Sequence, residues 1–334
     1  MHAGALLQAV EVVLPVVLIL ALGHVFARAR DFSAEQARGL GKLVFWICLP
    51  ALICRDVARS EPQTLFEPKL AFGLAAVLII VAVFGYRFAR WRKLPERQVG
   101  AVAQASFRCN MLYVGLPIVL YHATTGLAES AGKAAQIQAA GLAIVTISVA
   151  LPVLNIGSVL VFVLPSRHRE GQRLSAWRVA AILAANPLVV AGLLGLIFAL
   201  IPPAAAYIAP RTVLGKTLDL AASAALPLAL LSVGAILSPK RVWETWRDTL
   251  PVAAIKLVLM PAVGLLVLWQ LGVRDIALAV GTILLACPPA AASHAMAVEM
   301  GGDEILAGDL VAVATLLSPF TLVGWLVVLQ ALGA

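Results

Sequence analysis

The chain has 334 residues, 62% of them hydrophobic and only 13% charged, with a mean hydropathy of +0.97. A soluble domain carries about 25% charged residues, so this composition excludes a soluble globule and specifies a polytopic membrane protein. The net charge of +8 does not point to nucleic acid, because the basic residues sit in short loops between apolar runs, where they orient the chain and meet anionic lipid.

Ten apolar runs approach the length of roughly 17 to 25 residues that a spanning helix needs. They cover 5–27, 37–57, 69–90, 99–121, 134–163, 177–200, 211–237, 249–271, 276–300 and 308–331. Gly39, Gly41 and Lys42 dilute the start of the second. The fifth is long enough to tilt. The first lacks a basic leader and a small-residue cleavage site, so it reads as a retained helix. Basic residues concentrate after spans one, three, five and seven, as at Arg87, Arg90, Arg92, Lys93 and Arg97; they are sparser on the other side, as at Arg55, Arg59 and Lys69. The positive-inside rule then puts both termini on the outer face of a cytoplasmic (inner) membrane.

Prolines recur between the two halves. Pro15 pairs with Pro187, Pro50 with Pro227, Pro117 with Pro289 and Pro152 with Pro319, at an offset of about 170 residues. The expectation is an all-α protein of ten transmembrane helices in two five-helix repeats, 1–164 and 165–334. Five spans per repeat is odd, so the second copy is inverted in the membrane.

Two runs contain residues that a spanning helix avoids. The fourth holds Arg108, Cys109, Asn110 and Pro117; the ninth holds Cys287, Pro288, Pro289, Ser293 and His294. Broken helices survive in lipid only where protein buries them or they line a cavity, and a matched pair in two halves points to a transporter's binding site. Half-helix N-termini favour an anion, and an asparagine amide can read a carboxylate or an amide. The expected substrate-binding set is therefore Asn110, Arg108, Cys109, Pro117, Pro288, Pro289, Ser293 and His294. Arg108 either attracts an anion beside Asn110 or snorkels to the headgroups. His294 is either a protonation switch or a packed, satisfied side chain. Lys256 either pairs with a carboxylate such as Asp219 or Glu299, or stands in for a coupling cation. The four cysteines show no metal-ligand spacing; no metal or cofactor is expected. Gly215-Lys216-Thr217 is a poor phosphate loop, with Pro210 where its first glycine belongs.

The segment Asn110-Met111-Leu112-Tyr113-Val114-Gly115-Leu116-Pro117 resembles the Asn-x-x-x-x-Gly-[Ile/Leu]-Pro signature of the auxin efflux carrier family. Leu226 to Ser238 resembles that family's seventh helix, and Pro288 to Gly302 its ninth. Leu43 to Leu52 and Asn186-Pro187 are similar to bacterial members. The resemblance implies inverted repeats whose fourth and ninth helices cross at the substrate site, as in the bile-acid symporter and PIN-like folds. It implies a scaffold and a transport half that move like an elevator, a homodimer, and small organic anions as substrates: auxin in plant members, malonate or malate in some bacterial ones. By position, Asn110 matches the carboxylate-binding asparagine and Pro288 the crossover proline. Cys109 replaces the plant proline, Pro289 replaces a glutamine and the long cytoplasmic loop is absent, which favours a bacterial type over an auxin carrier. The alternatives are a sodium-coupled symporter of the bile-acid type and a non-transporting membrane sensor. The expected partners are the anion, the lipid bilayer and a second copy of the chain.

Overall fold

The computed structural model describes residues 2–29, 33–59, 67–124, 129–169, 177, 181, 185–201, 206–236, 239–244 and 246–333. Among these residues there is no strand. α1 (His2–Ala29) carries Pro15 inside it. α2 (Ala34–Leu43) starts on a capping box, in which Ser33 Oγ accepts from the Gln36 N–H and the Gln36 side chain accepts from the Ser33 N–H. It passes through a π turn at Val44–Cys48 into α3 (Leu49–Ala58). α4 (Pro68–Trp91) follows, then α5 (Glu96–Phe107), a π turn at Met111–Gly115 and α6 (Leu116–Thr124). α7 (Glu129–Arg169) is the longest element, with 41 residues.

In the second half α8 (Pro187–Leu200) begins with proline at its first position and the Asn186 side chain capping the Leu188 N–H. α9 (Val213–Ile236) and the short α10 (Pro239–Glu244) come next. α11 (Trp246–Ala254) runs through a π turn at Ile255–Leu259 into α12 (Met260–Gln270). α13 (Asp275–Ala286), α14 (Ala292–Glu299) and α15 (Glu304–Leu332) complete the chain.

The π turns share a cause. Pro50, Pro117 and Pro261 each stand two residues past the end of one. A proline lacks the N–H and crowds the carbonyl four residues back, and the helix absorbs the mismatch as one wide turn. The residue before each proline therefore bonds five back: Leu49 to Val44, Leu116 to Met111, Met260 to Ile255. The carbonyl that Pro261 deprives of its donor, that of Leu257, accepts from Trp325 Nε1 at 2.9 Å instead.

Among the described residues six helices are long and apolar enough to cross a membrane: Glu35–Arg55, Pro68–Trp91, Gly141–Val163, Val213–Ala235, Trp246–Gln270 and Glu304–Leu332. They match the expected second, third, fifth, seventh, eighth and tenth spans. Val17–Ala29 and Pro187–Leu200 are shorter apolar helices within the first and sixth. The fourth and ninth are each broken into two. Side chains such as Phe72, Leu220 and Phe320 stand exposed on the outer surface, as lipid-facing residues should.

α1 packs on α9, and α3 on α8. Gly23 and Gly234 permit the first contact, since a Cβ on Gly234 would lie 2.1 Å from the Leu20 carbonyl oxygen. α4, α5 and α7 pack together, and α13 packs on both α12 and α15; the two groups meet where α4 touches α12, α5 touches α15 and α7 touches α13.

Candidate functional site

Both breaks lie deep in the protein. α5 ends where Arg108 turns extended (φ −70°, ψ 130°), and residues 108–110 are not helical before the π turn at Met111. In the other half Cys287 is extended (φ −64°, ψ 148°) because Pro288 disfavours a helical residue before it. The helix resumes only at Ala292. The breaks meet: the Asn110 N–H donates to the Pro288 carbonyl at 2.8 Å. Gly115 makes room for this approach, since a Cβ there would stand 2.8 Å from Leu284 Cδ2 and 3.0 Å from Cys287 Sγ.

Beside this junction lies a cavity of about 80 Å³, well above the 10–15 Å³ or so that one water needs. Its walls are mostly apolar, from Leu49, Leu52 and Ile53 of α3, Ala225, Leu226 and Ala229 of α9, and Ile147, Leu151 and Leu154 of α7. Arg108, Cys109, Asn110 and Asn155 bring polar atoms to it. No acidic residue is among the described residues that line it.

Arg108 is 6% exposed and does not snorkel. Its Nη1 donates to Ser158 Oγ at 2.8 Å, and Nη1 and Nη2 both donate to Asn155 Oδ1 at 3.3 Å. These partners are neutral and lie on α7. Two buried donors at this cluster have no protein acceptor: Arg108 Nε and Asn155 Nδ2.

Lys256 is fully buried in the π turn of the eighth span. Its Nζ donates to the Leu285 carbonyl at 2.7 Å, with Cys109 Sγ at 3.2 Å and Met260 Sδ at 3.3 Å. The Leu285 carbonyl lies in the last turn of α13, which ends at Ala286, so it has no helical N–H partner and takes this donor instead. Among the described residues no carboxylate meets Lys256. Asp219 is taken by Arg59 at 2.6 Å, with Arg55 at 3.9 Å. Glu299 stands near the far end of α14, its Oε2 without a partner.

Of the residues singled out from sequence, Arg108, Cys109 and Asn110 line the cavity, and Pro288 touches Asn110. Pro117 acts one step back, through its π turn. Pro289, Ser293 and His294 do not line it. Ser293 Oγ is buried without a partner, and His294 Nδ1 meets the Glu304 carbonyl while Nε2 meets Ser232 Oγ, both at 3.1 Å. Sequence reasoning passed over Asn155 and Ser158. Their signal was an Asn and a Ser three apart in an otherwise apolar span, hence on one helix face.

The sequence profile of the family described as "Membrane transport protein" matches residues 8–326. An "Uncharacterized transporter" of Methanothermobacter thermautotrophicus is 24% identical over 321 residues, 96% of this chain and 98% of the relative. "Uncharacterized transporter YfdV" of Escherichia coli strain K12 is 26% identical over 258 residues, 76% of each chain. With this match over nearly its whole length, the chain belongs to the membrane transport protein family of auxin efflux carriers.

Proposed function

We propose that this transporter is a secondary carrier of small organic anions, carboxylates of the malonate, malate or auxin type, and that it works by elevator-like alternating access. The observation that carries this reading is the pair of buried donors without acceptors, Arg108 Nε and Asn155 Nδ2, beside a cavity with no acidic residue among its described lining. A buried unsatisfied donor costs about 1–3 kcal/mol, more if charged. A carboxylate supplies the acceptor oxygens that this cluster lacks, and a cation or a neutral apolar solute does not. Asn110 at the junction of the breaks is the third polar contact.

The mechanical part rests on the packing. Exchanging spans one to five with six to ten turns the contact of α1 with α9 into that of α8 with α3. It likewise turns α4 with α5 into α12 with α13, α5 with α7 into α13 with α15, and α1 with α15 into α8 with α7. Such matching supports two inverted repeats, 1–164 and 165–334, crossing at the two breaks; α7 itself runs on to Arg169. In this reading α1–α3, α8 and α9 form the scaffold, a dimer in the membrane. The remaining spans, α4 to α7 and α11 to α15, carry the anion past it. The cavity lies between them, lined from both groups. The excess of basic residues in the loops after spans one, three, five and seven supports an orientation with both termini on the outer face of a cytoplasmic membrane.

The test is thermal stabilisation of the purified protein by malonate, malate and indole-3-acetate, wild type beside Asn110→Ala. A ligand at a hundred times its Kd adds about 2.7 kcal/mol of stability. Stabilisation of the wild type and not of the variant is the expected result. Stabilisation by sodium alone, or equal stabilisation of both proteins, overturns the reading.

A further inference from the structure

We propose that His294 is the proton-binding site of this carrier, and that its proton fastens the anion-carrying helices to the scaffold; the assignment of helices to these two bodies rests on the function proposed above. The argument starts from three hydrogen bonds. Ser232 Oγ on α9 donates to the Ala37 carbonyl on α2 at 2.8 Å. His294 Nε2 on α14 lies 3.1 Å from the same Ser232 Oγ, and His294 Nδ1 lies 3.1 Å from the Glu304 carbonyl at the start of α15. A backbone carbonyl only accepts, so Nδ1 must carry a proton to bond Glu304. A hydroxyl has one proton. If Ser232 gives it to Ala37, Ser232 can only accept from the histidine, so Nε2 must carry a proton as well. All three bonds hold together only in the doubly protonated, cationic ring.

With a neutral ring one bond is lost. Either Ser232 turns its proton to Nε2 and releases Ala37, or the ring gives up Glu304 or Ser232. The bridge therefore joins α2 and α9 to α14 and α15 most completely when the proton is bound. α2 and α9 belong to the scaffold in the reading above, and α14 and α15 to the moving part, so the joint must open in an elevator step. Gly41 of α2 stands beside it at ordinary contact distance: a Cβ there would lie 3.4 Å from Val298 Cγ2 and 3.6 Å from Ser232 Oγ.

One residue, Glu304, links this place to a polar cavity. A polar cavity of about 620 Å³ is lined by Lys42, Arg97, Val298, Gly301, Asp303 and Glu304 among others, and Glu304 is the residue whose carbonyl holds Nδ1. The charged and titratable groups on elements packed against α14 can be named in turn. α15 brings Glu304 and Asp309, α2 brings Glu35 and Lys42, α5 brings Glu96 and Arg97, and the π turn brings the Cys48 thiol. α9 brings Lys216 and Asp219, which at 1.5 Å per residue lie about 20 Å along the helix from Ser232. Glu299 lies on α14 itself and Asp303 just before α15. Among the described residues, only the Glu304 carbonyl and Ser232 Oγ hydrogen-bond the ring nitrogens.

Two measurements test this. The first is nitrogen NMR of the histidine rings in lipid nanodiscs between about pH 5 and pH 8, the range where histidine changes charge. His294→Gln assigns the signal by its loss, and Ser232→Ala keeps the ring while removing one partner. A cationic His294 in the wild type whose titration moves to lower pH in Ser232→Ala is expected. A neutral ring throughout, or the same midpoint in both proteins, overturns the proposal. The second is malonate uptake into proteoliposomes, with and without an imposed pH gradient. The ratio of the two rates should exceed one in the wild type and fall to one in His294→Gln, whatever the absolute rates; an unchanged ratio overturns the coupling. If malonate does not move at all, the carrier reading fails for that substrate, and the NMR titration decides the proton site by itself.

Discussion

Asn110 and Pro288 join the two broken helices by a single backbone bond, the Asn110 N–H to the Pro288 carbonyl at 2.8 Å. Neither side chain takes part, so the junction depends on the backbone course that Pro288 imposes on Cys287. Pro288→Ala should relax it. The protein should fold, and malonate should bind about tenfold more weakly, a loss of ~1.4 kcal/mol, read by titration calorimetry in detergent. Unchanged affinity would show that the proline does not position the site.

Arg108 offers a way to separate holding from binding. Ser158 supports the guanidinium from outside the cavity, whereas Asn155 both supports it and lines the cavity. Hydrogen bonds to charged groups are worth about 1.5–3 kcal/mol, so Ser158→Ala should lower stability by that order and leave malonate affinity within about threefold. Asn155→Leu should lower stability and abolish malonate stabilisation as well. Thermal unfolding with and without ligand reads both quantities. Equal effects of the two changes on binding would place Asn155 outside the site.

Lys256 supplies a donor to the Leu285 carbonyl, left open where α13 ends. Lys256→Met keeps the length of the side chain and leaves the Leu285 carbonyl only the long contact with Cys109 Sγ at 3.9 Å, a cost of about 1–3 kcal/mol. It also removes the charge that stands 3.2 Å from Cys109 Sγ at the junction. We expect lower thermal stability and weaker malonate binding, the second effect growing with the charge of the anion tested. A variant that is as stable as the wild type would mean that the carbonyl finds another donor.

Trp325 and Pro261 form a similar pair in the eighth and tenth spans. Trp325→Phe should cost about 1 kcal/mol, the net value of a typical hydrogen bond. Pro261→Ala restores a backbone N–H within reach of the Leu257 carbonyl. The double variant should then be more stable than the sum of the two single changes, by roughly 0.5 kcal/mol or more in a double-mutant cycle. Strict additivity would deny that the indole compensates for the proline.

Much of this was legible in the chain itself. Apolar runs must be helices in lipid, since an unpaired backbone N–H or C=O there is too costly. A run holding Arg108, Asn110 and Pro117, or Cys287-Pro288-Pro289, cannot be an unbroken one. The breaks, their place in two matched segments, and the family resemblance through Asn110 to Pro117 all follow from residue types a few positions apart. The π turns before Pro50, Pro117 and Pro261 follow in kind from proline chemistry, though their form does not.

What the sequence could not decide is which polar group meets which, because that depends on helices brought together from distant parts of the chain. Arg108 finds Asn155 and Ser158 on α7, where composition left snorkelling open. Lys256 finds a carbonyl and two sulfurs, where the sequence left open a carboxylate partner or a stand-in for a coupling cation; Asp219 is held by Arg59. His294 turns from the cavity toward Ser232 and Glu304. A buried polar atom must take whatever partner packing places within about 3 Å, and in a bundle of helices that partner is set by crossing and rotation, which no local pattern of residues records.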